Sequence, residues 1–208
     1  MTDFSDFKAQ IAEYANRADW SDAVVTGFVR QAEQKLNAEL RIDRMIKFAT
    51  NTVTMRCSTL PDDWLQMELV RIANMNVPDG FMPIRYKPRD EFYTTNDSWM
   101  YGFYTIQGRQ IFVGGTPDTV NGQELKITYY GEVPVFSDTQ QSWVYTKYPS
   151  LFLSAATMFS CLHAVGEEDK AAGAKQLTED TIQKLNANHA LSRASGSRVV
   201  RSRVRSFG

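Results

Sequence analysis

The sequence predicts an α+β fold: N- and C-terminal helices packed as a bundle, a β-rich lobe inserted between them, and a flexible C-terminal tail. Three observations carry this reading. Apolar residues recur at helical spacing in 1–41 and again in 148–191. Across 42–147, β-branched residues alternate with polar ones. Six of the seven prolines fall between positions 61 and 134, where they suit turns and strand edges but would break a helix. From Ser192 to Gly208 there are arginines and small residues, no acid and no core-forming period.

Each element follows in order. Phe4, Phe7, Ile11 and Tyr14 share one helical face. After Asp19-Trp20-Ser21 a second stripe runs through Val25, Phe28, Val29, Ala32, Leu36 and Leu40. Ser21 suits an N-cap, since its hydroxyl can accept from an N–H of the first turn, and Asp22 suits the helix dipole. From about Met45 the pattern turns to strand, with Thr52-Val53-Thr54-Met55-Arg56-Cys57 read as an extended run ended by Leu60-Pro61-Asp62-Asp63. Tyr101–Ile106, Gln107-Gly108 and Arg109–Val113 read as a hairpin, because Gly108 accepts the positive φ of a tight turn. After Asn121-Gly122, Leu125, Ile127 and Tyr129 alternate with Glu124, Lys126 and Thr128, giving a strand with one buried and one wet face. Past Tyr148-Pro149 a helix carries Leu151, Ala155, Met158, Phe159 and Leu162 on one side and ends at Gly166. A last helix from near Glu167 has the thinner stripe Ala171, Ala174, Leu177, Ile182 and Leu185 and is expected to end near Leu191.

Composition narrows the function classes. The 208 residues carry 23 basic and 24 acidic side chains, net −1, with 43% hydrophobic and 12% aromatic content. These values exclude disordered and fibrous classes. The first residues are acidic where a signal peptide would be basic, so no export signal is expected. The longest uncharged window, Tyr148 to Val165, is interrupted by Pro149 and several hydroxyl residues and falls short of the ~20 apolar residues of a membrane span. Cys57 and Cys161 have no partner spacing, which points to a reducing compartment and to neither a disulfide framework nor a zinc site.

Catalytic signatures are sparse. There is no G-x-G-x-x-G, Walker loop, G-x-S-x-G elbow or H-E-x-x-H, and no cofactor is expected. Cys161, His163 and Glu167 are read as helix residues before metal ligands, because successive odd positions on a helix diverge. Asp62-Asp63 and Glu167-Glu168-Asp169 are the raw material for acid/base work, which a glycosidase would need as a pair across a cleft. A turn and a helix N-terminus explain them more simply.

Two features point instead to binding. Arg193, Arg198, Arg201, Arg203 and Arg205 leave 18 basic against 24 acidic residues in the body, net −6. Val199, Val200, Val204 and Phe207 interleave with them, as in a segment that orders on a partner's acidic groove. Nucleic acid phosphates and plain solvation are the alternatives. Phe92, Tyr93, Trp99 and Tyr101 lie in a stretch too polar to bury them all and are candidate subunit or tail contacts. The other reading is that they pack the lobe's own core.

Three segments, in this order, resemble the head-to-tail adaptor, or connector, proteins of tailed bacteriophages. They are the helix ending in Ala32–Arg41, the turn Leu60-Pro61-Asp62-Asp63-Trp64, and Leu125–Pro134 with Ser137-Asp138, Trp143 and Tyr148–Leu153. Ser142 stands where family members commonly carry asparagine. The resemblance implies a virion component assembled in the host cytoplasm: a homo-oligomeric ring of twelve copies that docks under the portal protein and extends the DNA channel. A tail tube or nozzle protein would attach to it, and no membrane is involved. Double-stranded DNA would pass without sequence-specific binding, and by position the tail residues Arg193, Arg198, Arg201, Arg203, Arg205 and Phe207 would reach the portal. An acidic body suits such a channel, since negative walls do not trap a polyanion. The competing readings are a cell-wall (peptidoglycan) hydrolase acting through paired carboxylates and a small nucleic-acid-binding protein led by its arginine tail.

Overall fold

The computed structural model describes residues 3–74, 80–94 and 102–199, with side chains as far as Ala194. In chain order the described elements are α1 (Phe4–Tyr14), α2 (Asp22–Glu39), a 3-10 turn (Asp43–Met45), β1 (Ile46–Thr52), β2 (Cys57–Thr59), β3 (Trp64–Ala73), β4 (Phe81–Tyr86), α3 (Arg89–Thr94), β5 (Phe103–Gln107), β6 (Gln110–Val113), α4 (Pro117–Val120), β7 (Glu124–Gly131), α5 (Trp143–Lys147), α6 (Pro149–His163) and α7 (Glu168–Val199). The chain is mixed α+β and forms two units, one of Met1–Arg44 with Val133–Gly208, the other of Met45–Glu132.

In the helical unit, α1 starts where Asp3 accepts the Phe4 N–H at 2.7 Å and Asp6 reaches back to the Asp3 N–H, a capping box. Its buried face is Phe4, Phe7, Lys8 and Ile11, while Tyr14 is exposed. All six apolar residues of the second stripe are buried. Ser21 is the N-cap residue of α2 but makes no side-chain cap bond, and Asp22 pairs with Lys8 of α1 instead. α6 packs against α1, α2, α5 and α7, and Pro149 occupies its first turn, where a missing N–H costs nothing. Phe7 stacks on Phe152 at 5.2 Å, and Phe136 meets Phe4 edge-on at 5.0 Å and Tyr145 face-on at 4.8 Å. Phe136 and Tyr145 come from 133–147, which the sequence pattern had grouped with the β lobe and which packs in this unit.

Several expectations for the C-terminal helices need correction. Phe152, not Phe159, is the fully buried phenylalanine of α6, and Leu162 is 64% exposed. Residues 152, 155 and 156 are fully buried and share one face of α6, and 162 lies well around the helix from its centre. On α7, Leu177 is exposed and Thr178 fully buried. Thr178 is accepted there because its hydroxyl lies 2.9 Å from the Ser154 hydroxyl and donates to the Ala174 carbonyl at 2.8 Å. The helix also runs on to Val199, past Leu191 where the apolar stripe ends. Helical hydrogen bonding does not require an apolar stripe, so the stripe marked the packed part of the helix and not its length. None of the described helices is long and apolar enough to cross a membrane.

In the β unit the described strands are ordered β1-β7-β3-β4-β5-β6-β2. The two edge strands, β1 and β2, are consecutive in sequence. The run read as one extended segment is in fact β1, a turn and β2. Met55 and Arg56 sit at φ 48° and 63°, and Thr54 and Cys57 exchange backbone hydrogen bonds of 2.8 and 3.0 Å. Two central residues at positive φ are the mark of a tight hairpin turn, here without glycine. Joining opposite edges of the sheet through so short a link forces it to curl. Asn51 Nδ2 then donates to the Thr59 carbonyl at 2.7 Å across the seam. Inside the curl lie Val53, Leu60, Val70, Ile72, Ile84, Tyr104, Ile111, Val113, Leu125, Ile127 and Tyr129. The β5–β6 hairpin turns at Gly108 (φ 57°), with Gln107 paired to Gln110.

Candidate interaction surfaces

Of the acids singled out in the sequence, Asp62, Asp63 and Glu167 are engaged in the fold, while Glu168 and Asp169 are exposed in the first turn of α7. Asp63 accepts from Lys47 Nζ at 2.5 Å with one oxygen and from the Tyr129 hydroxyl at 2.9 Å with the other. Its carbonyl accepts the Glu132 N–H at 2.8 Å. Gly131 lies underneath, where a Cβ would come within 2.6 Å of Lys47 Cδ and 2.9 Å of Asp63 Oδ2. Burial pushes the Asp63 carboxyl up, but the hydrogen bonds from Lys47 and Tyr129 outweigh it and hold the group below its ordinary value. The Tyr129 hydroxyl is pushed up to about 12, first by burial and then by Asp63. Asp62 points elsewhere, to Arg109 at 2.7 Å. The turn Leu60–Trp64 is therefore a clasp over β1, β3 and β7.

Glu167 accepts from Asn16 at 2.7 Å and lies 2.8 Å from Lys170 Nζ, and these bonds, Lys170's first, lower its pKa. Burial raises the Cys161 thiol, and His163 stacks on Phe28 at 5.3 Å. Among the described residues no cluster of His, Cys, Asp and Glu is placed to hold a metal ion.

The sequence-derived contact residues separate. Phe92 is 1% exposed, so it is core and offers no contact surface: the short α3 packs on β5 and turns Phe92 inward. Tyr93 faces out, 51% exposed, meets Phe92 edge-on at 5.2 Å and accepts from Gln107 Nε2 at 2.8 Å. Trp99, Tyr101, Arg201, Arg203, Arg205 and Phe207 lie outside the described residues, as does the Arg198 side chain. Arg193 is exposed on α7, just beyond the last buried position, His189, whose Nδ1 is 2.9 Å from Asp43.

A surface the sequence reading did not single out lies on the outer face of the sheet. Val70 and Ile72 point into the core, so Arg71 between them points out, and Leu125 and Ile127 do the same for Lys126. The register sets Arg71 directly opposite Lys126 on one side and Pro83 on the other. Arg85, exposed and next to the core residue Ile84, joins them from β4. Beyond their backbone pairing in the sheet, no side-chain hydrogen bond or ion pair holds Arg71 or Arg85 among the described residues. Lys126 reaches Glu124 at 4.0 Å and holds its ammonium 3.6 Å from the centre of the Phe81 ring. The alternation around Arg71 and Lys126 is visible in the sequence, but the pairing of β3 with β7 that brings them together is not.

Comparison with known proteins gives two results. The family model described as SU10 adaptor protein matches residues 2–203. Mouse (Mus musculus) hyaluronidase-1 is 31% identical over 106 residues, which is 44% of this chain and 22% of that protein, so the match spans about a fifth of the relative's length.

Proposed function

The chain belongs to the SU10 adaptor protein family, and on that premise we propose that it is the structural connector between the portal and the tail of a phage particle. Copies of the chain form a ring under the portal, extend the channel through which the double-stranded genome leaves, and present the surface to which the tail tube or nozzle protein attaches. The family match over nearly the whole chain carries this reading. The structure supports it through what its polar groups do: Asp63, Glu33 and Glu167 each tie segments of one unit together. Glu33, 5% exposed, accepts the Phe136 N–H at 2.6 Å and pairs with Arg30 at 2.7 Å. A connector needs rigid units and self-complementary surfaces, and these bonds supply the rigidity.

Within this reading, the basic segment containing Arg193, Arg198, Arg201, Arg203, Arg205 and Phe207 pairs with acidic groups of the portal, and Tyr93, with Trp99 and Tyr101, contributes to subunit or tail contacts. Arginine suits the first role because its planar fork bonds a carboxylate through two N–H groups, and one arm per copy adds avidity around a ring.

The partial likeness to a hyaluronidase does not favour the hydrolase alternative. A glycosidase needs a general acid whose pKa is raised, whereas Asp63 and Glu167 are both lowered and already hold cations. The test is reconstitution: heads assembled without this chain are expected to lack tails and to gain them when the purified chain is added. Heads that acquire tails equally well without it would overturn the proposal.

A further inference from the structure

We propose that the outer face of the sheet around Arg71, Arg85 and Lys126 binds the phosphate backbone of double-stranded nucleic acid without reading its sequence. The inference rests on the connector reading only for where the duplex comes from.

Three features carry it. The first is the placement of charge. Arg71 and Lys126 are directly paired across adjacent antiparallel strands, where side chains stand about 5 Å apart and like charges repel. Such a pair is unfavourable in the free chain and becomes favourable when an anion bridges it. The second is the lack of internal neutralisation. The side chains of Arg71 and Arg85 have no hydrogen bond or ion pair among the described residues, although acids outnumber bases in the body of the chain. The third is the way Lys126 is held. Its ammonium rests 3.6 Å from the centre of the Phe81 ring, while the carboxylate it reaches, Glu124, stands 4.0 Å away at the limit of an ion pair. An aromatic face orients a cation without supplying negative charge of its own.

The ligand chemistry follows from this. Cations on three neighbouring strands of one sheet present a line of positive charge, which fits a repeating polyanion better than a single small anion. Duplex nucleic acid carries one charge per ~1.7 Å of its axis. Base edges are not read by these three side chains, which stand beside Pro83 and Thr128 on a sheet surface with no described helix or loop among them to enter a groove. The exposed Phe48 on β1, 79% accessible, shares the outer face and would instead suit a protein partner, so the experiment must separate the two.

Full-length chain is titrated with a mixed-sequence duplex at several salt concentrations, and the triple variant Arg71→Gln, Arg85→Gln, Lys126→Gln is measured alongside it. Each lost phosphate contact lowers the slope of log affinity against log salt by ~0.9, so the variant is expected to lose between about 2 and 3 units of slope. All three positions are exposed, and an unchanged thermal midpoint would show that the fold is intact. A second variant with the five arginines of 192–208 replaced by glutamine separates the tail's share of binding. An unchanged slope in the triple variant overturns the proposal. So does the outcome in which duplex binding is kept but the triple variant no longer binds the portal or tail protein, which would make this face a protein-docking surface. Binding of the intact chain to its portal is scored separately, so a failed connector reading is told apart from a failed phosphate face.

Discussion

The Tyr129 hydroxyl on β7 donates at 2.9 Å to Asp63, the residue just before β3, and this bond joins the most recognisable turn of the sequence to the sheet. Because the folded state lowers the Asp63 pKa, its contribution to stability is complete above the unfolded value of ~3.9 and is lost as pH falls through the lower folded value. Tyr129 behaves in the opposite sense: its folded pKa of about 12 lies above the unfolded value of ~10, so its contribution is present below pH ~10 and is lost as pH rises toward 12. Asp63→Asn is expected to cost ~1 kcal/mol at pH 7, a modest figure because the ion pair of Asp63 with Lys47 is about one-third exposed. Urea unfolding at pH 7 and again near pH 3 checks this: the difference between variant and parent should shrink at the lower pH.

Phe152→Ala is expected to cost ~3–5 kcal/mol, because the ring is fully buried and stacked on Phe7. Phe159→Ala should cost clearly less, since that ring is only half-buried. Denaturant midpoints of the two variants, measured side by side, decide the ranking.

Arg71→Thr is expected to leave the free chain as stable or to stabilise it by up to ~0.5 kcal/mol, since it removes a like-charge cross-strand pair and adds a β-branched residue to a strand. A loss above ~1 kcal/mol in thermal or urea unfolding would show that the arginine packs or pairs in a way that outweighs the repulsion.

How legible was this molecule in its sequence? The stripe from Val25 to Leu40 and the alternation from Glu124 to Thr128 could be read directly, since side-chain burial follows backbone period when one face meets a core. Thr52–Cys57 could not. Its β-branched composition suits a strand, and nothing in Met55-Arg56 announces two consecutive positive φ values. Sequence pattern favours Leu177 over Thr178, because burial of a hydroxyl depends on a partner, Ser154, on another helix. The contact surfaces were least legible. Phe92 looks surface-prone in a polar stretch until α3 turns it inward, and the row of Arg71, Lys126 and Arg85 exists only once strand order is known.

Removing residues 192–208 is expected to leave both units folded, because the last buried contact of α7 is at His189 with Asp43 and Asn186 bonds the Arg41 N–H at 2.7 Å. Portal binding should fall by at least tenfold, about 1.4 kcal/mol, as the arginine arm is lost. Circular dichroism checks the fold and a pull-down on purified portal checks docking. Full docking by the truncated chain at moderate salt would remove the arm from the account.

The most direct test of the connector assignment is the mass of the purified chain measured alone and after mixing with its portal ring. Co-assembly at one fixed number of copies per portal, saturating as chain is added, is the expected result. A portal whose mass is unchanged at saturating chain would contradict the assignment.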